Sequence, residues 1–187
     1  MGNKYGDNYT KDAEDSKWAM LNVVIPKLQS DFSAFAGQKF SPVEGEDNRL
    51  LRQLDSSFSV DWVVGNKFVA SRVQWGEHNW DSYTIRTRKR DGGSTEMQKI
   101  ALALADGGSI RPYWHVQAYI IERGSTGLLS VAVVKTEELF KDVEAYGSGY
   151  KERQDPGSKD WFLVVFWKDL LRHGVPVAIW HKDFVGM

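Results

Sequence analysis

The chain has 187 residues, of which 42% are apolar and 26% charged, and it contains no cysteine. This length suits one sizeable core and is short for two, so we expect a single domain over residues 1–187. A net charge of −1 creates no overall field that would draw the chain to nucleic acid or membranes, so any such attraction requires a local patch. The absence of cysteine excludes disulfides and thiolate metal sites and fits a reducing compartment, and we predict a cytoplasmic location.

The hydrophobic runs of the sequence predict no membrane segment. The first ten residues are polar and unlike a signal peptide. The longest apolar run, residues 161–167, has the length of a buried strand, far below the roughly 18 residues of a membrane span. Eight tryptophans are many for this length, and they fit either a groove or partner surface lined by Trp or simple core filling.

Apolar spacing predicts a long N-terminal helix over residues 12–36. Its apolar residues recur at alternating spacings of three and four, namely Trp18, Leu21, Ile25, Leu28, Phe32 and Phe35. Pro26 lies inside this pattern and cannot donate a helical hydrogen bond, so we expect a kink or a break there. Residues 37–48 are rich in Gly, Pro and acid and predict a loop.

A β-hairpin is predicted at residues 58–75, with strands at 59–64 and 67–75. Gly65 and Asn66 between them suit a two-residue turn. That turn pairs Val64 with Lys67 and places Asp61 opposite Ala70. Alternate residues share a face, so we expect an apolar face of Val60, Trp62, Val64, Val69, Val73 and Trp75, and a second face of Asp61, Val63, Phe68, Ala70, Arg72 and Gln74.

The remaining elements follow a clear order. We predict a third strand at 82–89 after a loop at 76–81, a helix at 95–105, strands at 110–122 and 128–134, a helix at 136–146, a loop at 147–160, and strands at 161–167 and 175–180. Thr95 with Gln98 forms a capping box, and Thr136 is the expected cap of the next helix. The apolar run 97–105 predicts a largely buried helix, and Pro112 predicts that its strand begins at a sheet edge. The fold class is therefore α/β of the α+β type, with an αβββαβ core, a central mixed sheet flanked by helices, and C-terminal strand additions.

A basic run at the end of the third strand is one candidate binding site. It lies beside a Gly-Gly turn and a helix start, where cations and exposed amides together bind phosphate. The run consists of Arg86, Arg88, Lys89 and Arg90, with Thr84 and Thr87 as possible hydroxyl contacts. Arg86 and Arg88 are expected to share a face. A solvated, charged strand end is the alternative interpretation.

The fourth strand offers a second candidate surface. One face interleaves aromatic and cationic residues, which suits stacking on bases and contact with a phosphate backbone. These residues are Arg111, Tyr113, His115, Gln117 and Tyr119. An ordinary half-exposed strand explains the same pattern.

Acidic residues provide the third group of candidates. Asp61 either has a function or forms an ion pair with Arg72 across the hairpin. Glu96 and Lys99 lie three residues apart on one side of a helical first turn. The alternative for Glu96 is that its charge simply favours a helix N-terminus.

The order αβββαβ, over about residues 12–122, resembles the core of the PD-(D/E)XK nuclease superfamily. This resemblance implies an Asp on one hairpin strand and an acid-x-Lys on its partner, which together hold Mg²⁺ and orient a water molecule. Asp61 matches the Asp, whereas residues 70–72, Ala-Ser-Arg, stand where acid-x-Lys is expected. Gln74 or Glu96 would then complete the site. Asp61 and Glu96 are the implied metal ligands, and Arg72 or Lys99 would stabilise the charge that develops on the phosphate.

Three functional hypotheses follow. The first is a nuclease-fold protein that binds DNA or RNA and, if active, hydrolyses phosphodiesters with Mg²⁺. The second is a non-catalytic binding or inhibitor protein, of the phage-encoded or defence-accessory type, which uses the basic strand end or a Trp-rich surface that binds a protein. The third is a pocket for a small nucleotide or signal molecule lined by Arg111, Tyr113 and His115.

Overall fold

The computed structural model describes residues 4–43, 57–76, 80–107 and 110–184, and of residues 4–10 the backbone alone. The helices are α1 (Lys4–Ala19), α2 (Ile25–Asp31), α3 (Glu96–Ala105), α4 (Thr136–Tyr146) and α5 (Trp167–Arg172). The strands are β1 (Phe40–Pro42), β2 (Trp62–Val64), β3 (Lys67–Trp75), β4 (Ser82–Arg88), β5 (Pro112–Ile120), β6 (Leu128–Lys135), β7 (Lys151–Gln154), β8 (Trp161–Phe166) and β9 (Val177–His181). No helix in these ranges is both long enough and apolar enough to cross a membrane.

The strands form two sheets. Sheet A is mixed, with the order β1-β2-β3-β5-β6-β9, and sheet B is antiparallel, with the order β4-β8-β7. The N-terminal helices pack on one face of sheet A through an apolar cluster that includes Leu28, Val73 and Val131. Sheet B and helices α3 to α5 pack on the other face through a second cluster. The predicted α+β class is therefore confirmed, with a central mixed sheet flanked by helices and added strands near the C-terminus.

The third predicted strand does not join the sheet that contains the hairpin. β4 does not extend the β2–β3 hairpin but pairs with β8, while β5 runs parallel to β3 and takes the place beside it. Neighbouring strands in sequence are adjacent in space in only about two-thirds of cases. The apolar run that forms β8 offers β4 a partner that local sequence patterns do not reveal.

The hairpin register is confirmed at the turn and altered at its far end. Val64 pairs with Lys67, and Gly65 has a φ of 57°. Trp62 pairs with Val69, yet the amide of Asp61 also donates to the Val69 carbonyl at 2.9 Å. This β-bulge places two residues opposite one, so the expected Asp61–Ala70 pair is wrong.

The bulge also changes which face each residue joins. Val60 packs in a small cluster with Val63 and Phe68 instead of with the predicted apolar face. The other predicted apolar residues of the hairpin do pack against the N-terminal helices: Trp62, Val64, Val69, Val73 and Trp75.

The N-terminal helix contains a π-helical turn at Met20–Val24, just before Pro26. Ile25 donates its amide to the Met20 carbonyl, five residues back, and the Asn22 side chain donates to the Trp18 carbonyl at 2.7 Å. This wider turn accommodates a proline that has no amide hydrogen to donate. It also rotates the buried face, so Trp18 and Leu21 of the predicted stripe are exposed.

Several local predictions need correction. Helix α3 is less buried than predicted, since Leu102 is 64% exposed and only Ile100 and Ala103 are buried. Pro112 does not mark an edge, because β5 lies between β3 and β6. β1 and β7 occupy predicted loops, and α5 was not predicted at all. Residues 44–48 and 77–79 of two predicted loops lie outside the described residues.

The two threonines expected to cap helices behave differently. Thr95 caps α3 in a full capping box with Gln98, as predicted. Thr136 is the first residue of α4, whose N-cap is Lys135 without a side-chain bond. In the described part of the chain, the buried Oγ1 of Thr136 has no hydrogen-bond partner.

We expect Thr95→Ala to lower the free energy of unfolding by about 1 kcal/mol, since the cap bond is lost. Thr136→Val should leave it unchanged or raise it, because the hydroxyl is buried without a partner. Urea denaturation followed by circular dichroism measures both. An equal loss in the two variants would contradict this assignment of the caps.

Candidate functional site

A groove of about 1320 Å³ runs between β3 of sheet A and sheet B. We call it the inter-sheet groove. Its lining contains more cations than acids, although the whole chain has a net charge of −1. The cations are Arg72, Arg86, Lys89, Arg90, Arg123 and Arg153, and the acids are Asp12, Asp91, Asp155 and Asp160.

A largely buried ion pair lies beside this groove. Arg72 Nη2 on β3 donates to Glu96 Oε2, the first residue of α3, at 2.8 Å. The amide of Arg86 approaches the same oxygen at 3.5 Å. The other oxygen, Glu96 Oε1, is 3.5 Å from Nε2 of the buried His115. Glu96 thus connects three strands to the start of α3.

Electrostatics keep Glu96 ionised and favour neutral His115. Burial by itself raises the pKa of Glu96, but the charge of Arg72 and the amide of Arg86 outweigh it, so this pKa lies below its ordinary value. Burial lowers the pKa of His115, and the charge of Arg72 adds to this effect against the opposing influence of Glu96. The cluster is therefore built to neutralise Arg72.

Arg86 has an equivalent arrangement on the sheet B side. Its Nε lies 3.2 Å from Asp160 Oδ2. The guanidinium groups of Arg72 and Arg86 both lie over the Phe162 ring, at 4.9 and 5.4 Å from its centroid. Two arginines, each with an acid, therefore converge on one aromatic ring in the groove wall.

Polar side chains hold β4 against sheet A. Gln74 Nε2 donates to Thr84 Oγ1 at 3.3 Å, and Thr84 donates through both its amide and its hydroxyl to Gln117 Oε1 at 3.3 Å. Tyr119 OH donates to the Ser82 carbonyl at 2.8 Å. We call these contacts the polar ladder. Gln74 and Gln117 therefore serve as structural links between the sheets.

The structure brings some of the predicted basic residues together and separates others. Arg86, Lys89 and Arg90 line the groove with Arg72 and Gln74. Arg88 does not, because a bulge between positions 86 and 88 pairs Arg86 with Phe162 and Arg88 with Trp161. The two arginines therefore face opposite sides, contrary to the prediction, and Arg88 forms an ion pair with Glu152 at 2.7 Å. Thr87 bonds Glu152 as well.

The predicted surface of the fourth strand is divided. His115, Gln117 and Tyr119 are buried between the sheets. Tyr113 remains exposed with Lys67 Nζ 4.3 Å above its ring, and Arg111 pairs with Glu137 at 3.4 Å. The small-nucleotide pocket predicted from Arg111, Tyr113 and His115 is therefore not formed by these residues.

The implied metal ligands, Asp61 and Glu96, have different hydrogen-bond partners. Asp61 Oδ2 accepts hydrogen bonds from the amide and hydroxyl of Ser71, whereas Glu96 is held by Arg72. The two acids are therefore held by different residues of β3. Nowhere in the described ranges do three acidic or histidine side chains group closely enough to hold a metal ion. Lys99 does not line the groove.

Several groove residues were missed by sequence reasoning. Arg123 follows β5, and Arg153 lies on the fully exposed β7, whose Lys-Glu-Arg-Gln sequence lacks strand alternation. The tryptophans divide between both predicted roles: Trp62 and Trp167 are buried, whereas Trp75 and Trp80 line the groove. Only the density of tryptophan in the sequence hinted at such a lining.

No family model, curated protein or solved structure matches this chain. The PD-(D/E)XK resemblance therefore remains a prediction from topology. The functional inference depends on the geometry of the groove itself.

We expect Glu96→Gln and Arg72→Met each to lower the free energy of unfolding by about 3 kcal/mol, because each leaves a largely buried partner unpaired. The double variant should lose less unfolding free energy than the sum of the losses in the two single variants. Because the pKa of folded Glu96 is depressed, its stabilisation is present above the unfolded value of about 4.3 and is lost as the pH falls below it. Glu96→Gln should therefore show a shallower loss of stability in that acidic range, measured by urea denaturation. Strictly additive losses in the double variant would contradict a coupled pair.

Proposed function

We propose that this protein binds nucleic acid, DNA or RNA, in the inter-sheet groove. The observation that carries this proposal is the excess of cations over acids, six to four, in the lining of one groove of a chain with a net charge of −1. A concave surface with an excess of positive charge attracts a polyanion locally. Phosphate contacts supply most of the affinity of such complexes. We propose a cytoplasmic location for this binding, on the basis of the cysteine-free composition.

The six cations have different roles in this proposal. Arg72 and Arg86 are neutralised by Glu96 and Asp160, so they shape the groove wall. Arg123 is held by Asp12 and Asp15. Lys89, Arg90 and Arg153 are the side chains best suited to contact phosphates, since Arg90 and Arg153 are exposed and Lys89 is half-buried at the rim.

The proposal does not extend to phosphodiester hydrolysis. A carboxylate that ligates Mg²⁺ has to offer its oxygens to the metal. One oxygen of Glu96 is committed to Arg72 and the Arg86 amide, and Asp61 accepts two hydrogen bonds from Ser71. The arrangement therefore favours the non-catalytic binding protein over the hydrolase.

The contribution of the groove cations can be tested with two double variants that each remove two positive charges. Lys89→Gln/Arg90→Gln should weaken binding of labelled DNA and RNA oligonucleotides by about tenfold or more at low salt. It should also reduce the slope of log affinity against log salt by about 0.7 to 0.9 for each lost phosphate contact. Fluorescence anisotropy across a salt series measures both quantities.

The matched control is Arg88→Gln/Arg172→Gln, which changes the net charge equally at exposed arginines outside the groove lining. It should bind like the unmodified chain. Equal weakening in both double variants would mean that net charge, and not the groove, determines the affinity, which would contradict the proposal. Absence of binding by the unmodified chain would refute it.

Incubation with Mg²⁺ or Mn²⁺ tests the hydrolase alternative. We expect labelled DNA and RNA to remain intact, as they do with a chelator, because the acids are held by protein donors. Gel electrophoresis of the products gives the answer. Cleavage that requires the metal and disappears in Asp61→Ala would overturn this expectation and support a nuclease site.

A further inference from the structure

We infer that the inter-sheet groove takes a single nucleic-acid strand in preference to a duplex, with an unpaired base stacked against Trp80. This inference rests on the proposed function and makes it more specific. The cations of the groove would attract either form, so a different set of side chains has to discriminate between them.

Three aromatic rings provide that set. Trp75, Trp80 and Phe162 all line the groove. Each has a guanidinium over its ring: Arg123 at 5.8 Å from Trp75, Arg153 at 4.8 Å from Trp80, and Arg72 at 4.9 Å from Phe162. Rings and cations therefore occur as adjacent pairs along the same lining.

These pairs match the chemistry of an unpaired strand. In a duplex the faces of the bases are stacked on one another, and only base edges and the backbone are accessible. A single strand exposes base faces that stack on aromatic rings, while neighbouring cations contact its phosphates. Because every base has such a face, this mode tolerates many sequences.

Trp80 is the best-placed ring for this contact. It is 44% exposed, so part of its ring surface is open to solvent. Its guanidinium partner, Arg153, comes from β7 on the far edge of sheet B, so two distant segments build one platform. An exposed ring next to a cation inside a groove is suited to contact a base and the adjoining phosphate together.

The test compares a labelled 20-nucleotide oligothymidine with the same strand paired to oligoadenine. Fluorescence anisotropy should show at least about tenfold tighter binding of the single strand. Trp80→Leu should weaken single-strand binding about fivefold or more, the lower end of the loss expected for one base–aromatic stack. Trp80→Phe should retain most of the affinity, and duplex binding should change little in either variant.

Trp18→Leu is the matched control, because Trp18 is similarly exposed, at 38%, but does not line the groove. It should bind the single strand normally. Circular dichroism of each variant confirms that the fold is retained. Quenching of tryptophan fluorescence by oligothymidine should also decrease in Trp80→Leu and not in Trp18→Leu.

The contrary outcomes separate the two proposals. Equal binding of strand and duplex, or normal binding by Trp80→Leu while Lys89→Gln/Arg90→Gln is weakened, would overturn the stacking inference and leave the proposed function standing. If thymidine monophosphate binds as tightly as the oligonucleotide, the ligand of the groove is a small nucleotide and the single-strand inference is overturned. Failure to bind any of these would overturn both proposals.

Discussion

The ion pair between Arg72 and Glu96 is the contact around which the two-sheet arrangement is organised. It joins β3 of sheet A to the first turn of α3, close to the buried His115 of β5 and the amide of Arg86 on β4. A largely buried charge is tolerated only when it is paired and hydrogen-bonded. The pair therefore holds the strands and helix of two layers at a fixed separation, and the lowered pKa of Glu96 keeps the pair charged at neutral pH.

The groove results from the pairing of β4 with β8 in sheet B. Had β4 extended the hairpin, Arg72 and Arg86 would lie in one continuous sheet; instead β4 pairs with β8, and sheet B faces sheet A. The polar ladder through Thr84 and Gln117 holds the sheets together at one side, while Phe162 lies under both arginines at the groove wall. Stabilising contacts thus line the concave surface that we propose for binding.

Local features were predictable from the sequence and distant ones were not. The Gly65 turn and the Thr95 capping box depend on a few adjacent residues, so their patterns suffice. The bulges at Asp61 and after Arg86 each add one residue to a strand, which reverses the faces of the residues beyond, and no composition signal marks them. Arg123 and Arg153 reach the groove only through pairing of distant strands. Local sequence patterns therefore indicate the basic run but not these two arginines.

The nuclease resemblance implies that Asp61 and Glu96 are metal ligands. In the structure both side chains accept hydrogen bonds from residues of β3. Arg72 binds Oε2 of Glu96, so a cation at this carboxylate would compete with the guanidinium for its charge. Breaking a largely buried ion pair costs several kcal/mol. The ion pair therefore works against a metal site at Glu96. This arrangement supports the proposed function, in which lysine and arginine at the rim of the groove contact phosphate while the acids stabilise the framework.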